Sequence, residues 1–262
     1  QLFWFDIHGH RLLSRDGDVA LDWPFEIAVS AAGWVDRDTL LVASSTGLFQ
    51  FDLTTGRSAP VAKLDADRPE TRSNDGRADP HGGFWIGTMG NNAEPGLGAI
   101  HRYYRGDLRT IFDPVDIPNA IAFHPDGETA CFTDTATRII QKVQLGPEGW
   151  PKGDPEPWID LRASSEHPDG AVFDAEGHLW VALWGAGRVA RFAPDGTRVG
   201  EMRLPAPHSS CPAFGGDGLG TLFVTSARAD LDAHALAEAP LSGAVFTALT
   251  DVAGVAEHRV IL

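Results

Sequence analysis

One pattern recurs six times along the chain: a turn containing Asp, Gly or Asn, a short apolar or aromatic strand, a polar gap, and a second strand often entered through glycine. With Phe3, Leu41, Trp85, Phe132, Trp180 and Phe223 taken as equivalent, successive copies lie 38, 44, 47, 48 and 43 residues apart. A period of this length marks an array in which each copy is one supersecondary unit that buries its apolar face against its neighbours. Units of about 40 to 50 residues have room for a four-stranded meander. The expected fold is therefore all-β: a six-bladed β-propeller with four-stranded antiparallel blades around a central channel. A sandwich of the immunoglobulin type also alternates short strands but does not produce this period.

Turn chemistry agrees. His124-Pro125-Asp126-Gly127, Asp174-Ala175-Glu176-Gly177 and Ala193-Pro194-Asp195-Gly196 separate apolar runs, where Pro and Gly set dihedrals that β-branched residues resist. Helical periodicity is confined to Asp230 to Glu238, one local turn of helix within a loop. All 262 residues are expected to form a single domain. Gln1 opens directly into Leu2-Phe3-Trp4-Phe5, so the unit around Phe3 is expected to lack its preceding strand and loop, about 15 to 25 residues by comparison with the other copies. A propeller that closes by pairing its two chain ends would combine this unit with the residues after Phe223.

Charge and cysteine content narrow the partners. There are 21 Lys and Arg against 36 Asp and Glu, a formal charge of −15, which repels phosphate backbones and anionic membrane surfaces. Neither nucleic acid nor membrane is expected as a partner, and nothing calls for an obligate protein partner. No apolar run approaches the roughly 20 residues of a membrane span. Cys131 and Cys211 lack metal-site spacing and are too few for a disulfide framework, so a reducing, cytoplasmic setting is expected.

The candidate chemistry lies 11 to 13 residues before the anchors, where a propeller strand leads in from one end of the channel. Asn74, Asn119 and Asp169 share this phase, with Ser30 and Ser210-Cys211 at the corresponding positions of other units. Their contexts are alike: Arg72-Ser73-Asn74-Asp75-Gly76, Ile117-Pro118-Asn119-Ala120 and His167-Pro168-Asp169-Gly170. Each alone reads as an ordinary turn. Together they place hard oxygen donors in register, a pattern suited to a divalent cation. No His pair has the spacing of a zinc helix, and no nucleophile elbow, P-loop or dinucleotide fingerprint is present. Of the ten His and eight Trp, only His167 and Trp184 are placed near the cavity; the other Trp residues read as core.

These residues resemble the regucalcin/gluconolactonase family of sugar lactonases across essentially the whole chain. The resemblance rests on the stretch Arg72 to Pro80, on Gly87-Thr88-Met89, on Asp116-Ile117-Pro118-Asn119, on Pro168-Asp169-Gly170 followed by Gly177 to Ala182, on Phe214-Gly215-Gly216, and on Val224 to Arg228. Ala182-Leu183-Trp184-Gly185 and Leu204-Pro205-Ala206-Pro207 look nearest to bacterial aldono- and pentonolactone hydrolases. The resemblance implies one divalent metal (calcium, magnesium, manganese, zinc or iron(II)) held by Asn119 and Asp169. A third carboxylate ligand, the Glu of a Leu-Gly-Glu-Gly-Pro motif, is expected upstream of Gln1. It implies contacts from Arg72 and Asn74 to a small sugar lactone, with Asn92 where some members carry an acidic substrate contact, and Asp169 as catalytic residue. Ala120 stands where the family often has Gly. The expected activity is hydrolysis of an aldonolactone, such as a glucono-, xylono- or arabinonolactone, to its acid. A non-catalytic calcium- or ligand-binding propeller and a hydrolase of another ester or lactone are the alternatives.

Overall fold

A computed structural model describes residues Gln1–Leu262. Its strands pack into two compact units. The first unit comprises residues 1–118, 147–150 and 257–262. It holds a sheet of β1 (Leu2–Asp6), β2 (Arg11–Asp16) and β3 (Val19–Pro24), and a second of β4 (Val29–Trp34), β5 (Thr39–Ser44), β6 (Gly47–Asp52) and β7 (Ser58–Lys63). A third follows from β8 (Thr71–Ala78), β9 (Phe84–Gly90), β10 (Ala99–Tyr104) and β11 (Asp107–Phe112).

The second unit, residues 119–146 and 151–256, continues the series. Its first sheet comprises β12 (Pro118–Phe123), β13 (Thr129–Asp134), β14 (Ile139–Leu145) and β15 (Pro151–Asp160). Then come β16 (His167–Phe173), β17 (Leu179–Trp184), β18 (Arg188–Phe192) and β19 (Arg198–Arg203), and finally β20 (Ser209–Gly215), β21 (Thr221–Ser226) and β22 (Val245–Leu249). All pairings within these sheets are antiparallel between chain neighbours. Six consecutive meanders make a six-bladed β-propeller.

Two details depart from the expected plan. The first and last sheets have three strands instead of four. The C-terminal segment lies along β4: Arg259 bridges Trp34 in parallel, Val260 N donates to Trp34 O at 2.5 Å, and Val260 is buried. The helical stretch is borne out as α1 (Ala233–Glu238), capped by Asp232, whose side chain accepts from Ala235 N at 2.8 Å.

Burial explains why the leading strands read as unbroken apolar runs. Strand β9 and strand β12 are buried along their whole length, whereas β19 alternates half-buried and exposed. A strand covered on both faces needs apolar residues at every position, and one covered on a single face needs them at every second position. Strand β17 shows the division of labour. Leu179, Val181 and Leu183 enter one core cluster of the second unit with Phe173 and Phe192, while Trp180 and Ala182 enter another with Phe214 and Val224. In the first unit β5 does the same, Leu41 and Ala43 on one side and Leu40 and Val42 on the other. No helix is long and apolar enough to cross a membrane.

Candidate functional site

In the first unit the chemistry is carried by β8. Ser73 pairs with Thr88 and Gly76 with Ile86, so Asn74 and Asp75 together face the single residue Gly87. Such a bulge turns a side chain out of the ladder. Gly87 is required because a Cβ there would lie 2.4 Å from Pro118 Cγ. Arg72 Nη1 donates to Ser73 O at 3.0 Å and to Asn74 Oδ1 at 2.8 Å. Asn74 Nδ2 donates in turn to Pro118 O at 3.0 Å. Beside them Ser30 Oγ donates to Ser73 Oγ at 2.8 Å, and Ser30 is itself the extra residue of a bulge in β4. Arg72 and Asn74 are thus brought together. Asn92 is not joined to them: it is exposed, and its backbone N and Nδ2 donate to Glu94 Oε2 and Oε1 at 2.9 and 2.7 Å. Those donors hold the Glu94 carboxyl below its usual range.

The second unit presents the other two candidates in similar settings. Asn119 is 6% exposed, and Ala120 after it takes a left-handed φ of 52°. Asn119 Nδ2 donates to Thr135 Oγ1 at 2.9 Å, and Thr135 Oγ1 donates to Pro168 O at 2.7 Å. In β16, Pro168 pairs with Leu183 and Ala171 with Val181, leaving Asp169 and Gly170 opposite Ala182 in another bulge. Asp169 is half-buried. A Cβ on Gly170 would lie 2.7 Å from Cys211 Sγ and 2.8 Å from Ser210 O, so the close approach of β20 demands glycine. Ser210 is the extra residue of the bulge in β20, its Oγ 2.8 Å from Thr225 Oγ1. The carbonyl of the proline preceding each candidate ligand therefore accepts from a side chain: Asn74 for Pro118 and Thr135 for Pro168.

Sequence reasoning missed Thr135 and the bulges. It also missed the partner of Trp184, whose ring stacks on His208 at 4.2 Å and 8°. Burial holds His208 below the usual histidine range. His167, paired across the ladder with Trp184, is also pushed down, first by burial and then by the Arg138 cation.

Asp174, Glu176 and His178 bring ligand atoms within 4.8 Å of one another, but the cluster is already an ion network. Arg191 donates to Asp174 Oδ2 from Nε at 2.9 Å and from Nη2 at 2.7 Å, and Nη2 also reaches Glu176 Oε2 at 2.9 Å. Trp180 Nε1 and the backbone N–H groups of Glu176 and His178 supply three further donors. A guanidinium in the middle of the donors repels a second cation. The first unit repeats the device with Asp79 and Arg102, both fully buried and 2.6 Å apart.

In this unit the candidate oxygen donors are the side chains of Asn119 and Asp169. Thr135 takes the nitrogen branch of Asn119, so the carbonyl oxygen occupies the opposite branch of the amide. A neutral carbonyl and a carboxylate are the donor types that calcium, magnesium and manganese take up.

Residues 1–228 match the family described as SMP-30/Gluconolactonase/LRE-like region. The chain is 38% identical over 266 residues to an L-arabinolactonase of Azospirillum brasilense, covering 98% of this chain and 87% of that one. It is 34% identical to a 6-deoxy-6-sulfogluconolactonase of Pseudomonas putida, over 98% of this chain and 89% of the relative. The crystal structure of a calcium-binding protein, regucalcin, from Agrobacterium tumefaciens superposes with a TM-score of 0.97 at 38% identity, covering 99% of this chain and 89% of that one.

Proposed function

The chain belongs to the SMP-30/gluconolactonase/LRE-like family, and from that membership and the build of its polar bulges we propose that it hydrolyses a sugar lactone to the corresponding acid with the help of one divalent metal ion. The observation that carries this reading is that Asn119 and Asp169, both oxygen donors, are each preceded by a proline whose carbonyl is pinned, with Thr135 bonded to both Asn119 and Pro168. The relatives that are named lactonases at 38% and 34% identity support the reaction class. Their printed substrates, an arabinolactone and a sulfogluconolactone, support a small sugar lactone as substrate class.

A divalent cation held by Asn119 and Asp169 would supply Lewis-acid polarisation of the lactone carbonyl and charge for the oxyanion that follows. The chain's own residues do the rest. Asp169 accepts a proton at a carboxylate oxygen from the attacking water, whose oxygen bonds to the lactone carbonyl carbon. The ring C–O bond then breaks, and the ring oxygen takes up that proton from Asp169 to leave as the hydroxyl of the hydroxy acid. Arg72, held by its bonds to Ser73 and Asn74, presents a fixed cation to sugar hydroxyls. Asn92, on an exposed loop and bound to Glu94, would contact only the outer part of a substrate.

Acid release from a panel of aldonolactones, followed by pH-stat with metal titration, tests the reading. Metal-dependent release is expected, and Asp169→Ala should lower kcat/KM by about 10²- to 10⁴-fold. Retention of most activity in that variant would remove Asp169 from the chemistry. The likeness to a structure described as a calcium-binding protein favours one second reading, a propeller that binds cation without turnover. Metal binding with no acid release from any lactone would support it.

A further inference from the structure

We propose that Thr135 is the positioning residue of the cation site, fixing the orientation of the Asn119 amide and the backbone ahead of Asp169 with one hydroxyl. The inference rests on the reading of Asn119 and Asp169 as ligands. A threonine hydroxyl has a single proton, and the Pro168 carbonyl, 2.7 Å away, can only accept. The proton is therefore committed to Pro168, and the hydroxyl must accept from its other neighbour. That neighbour is Asn119 at 2.9 Å, so the group pointing at Thr135 has to be the NH₂. The bond to Thr135 sets the NH₂ on one branch of the amide and the carbonyl oxygen on the other.

Thr135 is well placed to hold such a direction. It follows β13 in a turn tied by four bonds: Ala136 N to Asp134 Oδ1 at 3.0 Å, Thr137 N to Asp134 O at 2.9 Å, Thr137 Oγ1 to Asp134 O at 2.8 Å, and Arg138 N to Thr135 O at 3.2 Å. Its two partners lie 16 and 33 residues away along the chain, on β12 and at the head of β16. One hydroxyl thus joins two successive sheets at the two candidate ligands. None of its bonds belongs to a sheet ladder, so its removal leaves the pairing of the blades intact. The consequence is directed at the cation: without the hydroxyl, the Asn119 NH₂ and the Pro168 carbonyl each lose a partner.

The test is binding of Mn²⁺ alone, read by the loss of the free-ion electron paramagnetic resonance signal, together with the apo melting temperature. Wild type, Thr135→Val, Thr135→Ser and Asp169→Ala are compared. Thr135→Val should raise the Mn²⁺ Kd by about 10- to 100-fold, the usual effect of losing an outer hydrogen bond to a ligand. Thr135→Ser, which keeps the hydroxyl, should stay within about threefold of wild type. If Val unfolds the chain, Thr135→Ala against Thr135→Ser makes the same comparison. Wild-type affinity in both Val and Ala variants, with binding lost in Asp169→Ala, would overturn the role of Thr135 while leaving the ligands in place. Unchanged binding in Asp169→Ala would instead overturn the ligand assignment, and the role of Thr135 with it.

Discussion

Asn74 and Pro118 are joined by a hydrogen bond of 3.0 Å from the side-chain nitrogen to the carbonyl, at the residue immediately before Asn119. The oxygen of the same amide accepts from Arg72 at 2.8 Å, so both ends of the group are in use. Asn74→Asp preserves shape but sets an acceptor against the Pro118 carbonyl. The expected result is a loss of about 1–3 kcal/mol in urea denaturation, from a buried acceptor left facing an acceptor. The lactonase kcat/KM should fall with it, because the side chain that accepts from Arg72 is displaced. A variant with wild-type midpoint and rate would show that the bond contributes nothing.

Gly170 leaves no room for a side chain beneath Asp169. An added Cβ would meet Ser210 O at 2.8 Å and Cys211 Cα at 2.9 Å, both backbone atoms that cannot rotate away. Gly170→Ala should cost about 1–3 kcal/mol, as overpacking does elsewhere, and should displace the bulge that carries Asp169. Adding Cys211→Ala should not restore stability, because the clash with Ser210 O remains. A thermal melt of the single and double variants decides it.

The Asp174 network predicts the acid limb of stability. Burial by itself would raise the Asp174 carboxyl, but the bonds from Trp180, His178 N and Arg191 outweigh it and hold the group below the usual carboxylate range. The folded value thus lies below the unfolded one, so the carboxylate stabilises the fold above about pH 4 and the contribution is lost as pH falls through the folded value. Asp174→Asn leaves Arg191 without its buried partner and should cost about 3 kcal/mol at pH 7, roughly 6–12 °C in Tm. Its Tm should fall less steeply than wild type below about pH 4. Parallel acid limbs in calorimetry would show that Asp174 is not the titrating group.

Much of the fold can be read from the chain because the repeat recurs with both faces of its leading strands apolar, as in Leu179 to Leu183. The phase of Asn74, Asn119 and Asp169 within that repeat is equally plain. The bulges are not, since facing two residues against one changes no composition; Asn74-Asp75 opposite Gly87 looks like any turn. Thr135 escapes for a related reason. Asp134-Thr135-Ala136-Thr137 reads as a hairpin connection, and the partners that give its hydroxyl a purpose are brought to it only by the packing of strands. The Asp174 cluster is hidden the same way, since Trp180 and Arg191 meet through cross-strand register. Ala120 shows a residue type misleading about backbone: its φ of 52° is the conformation that glycine adopts without strain.

Strands β4, β8, β16 and β20 each keep their ladder except at one place, around Ser30, Asn74, Asp169 and Ser210. At such a place the residue's identity is decoupled from the strand's obligation to pair and to fill the core. Exchanging one polar side chain for another there alters what the rim of a blade can hold, and leaves untouched the bonds that keep the blade a sheet. Each bulge behaves like a socket: what it carries can change while its sheet stays constant.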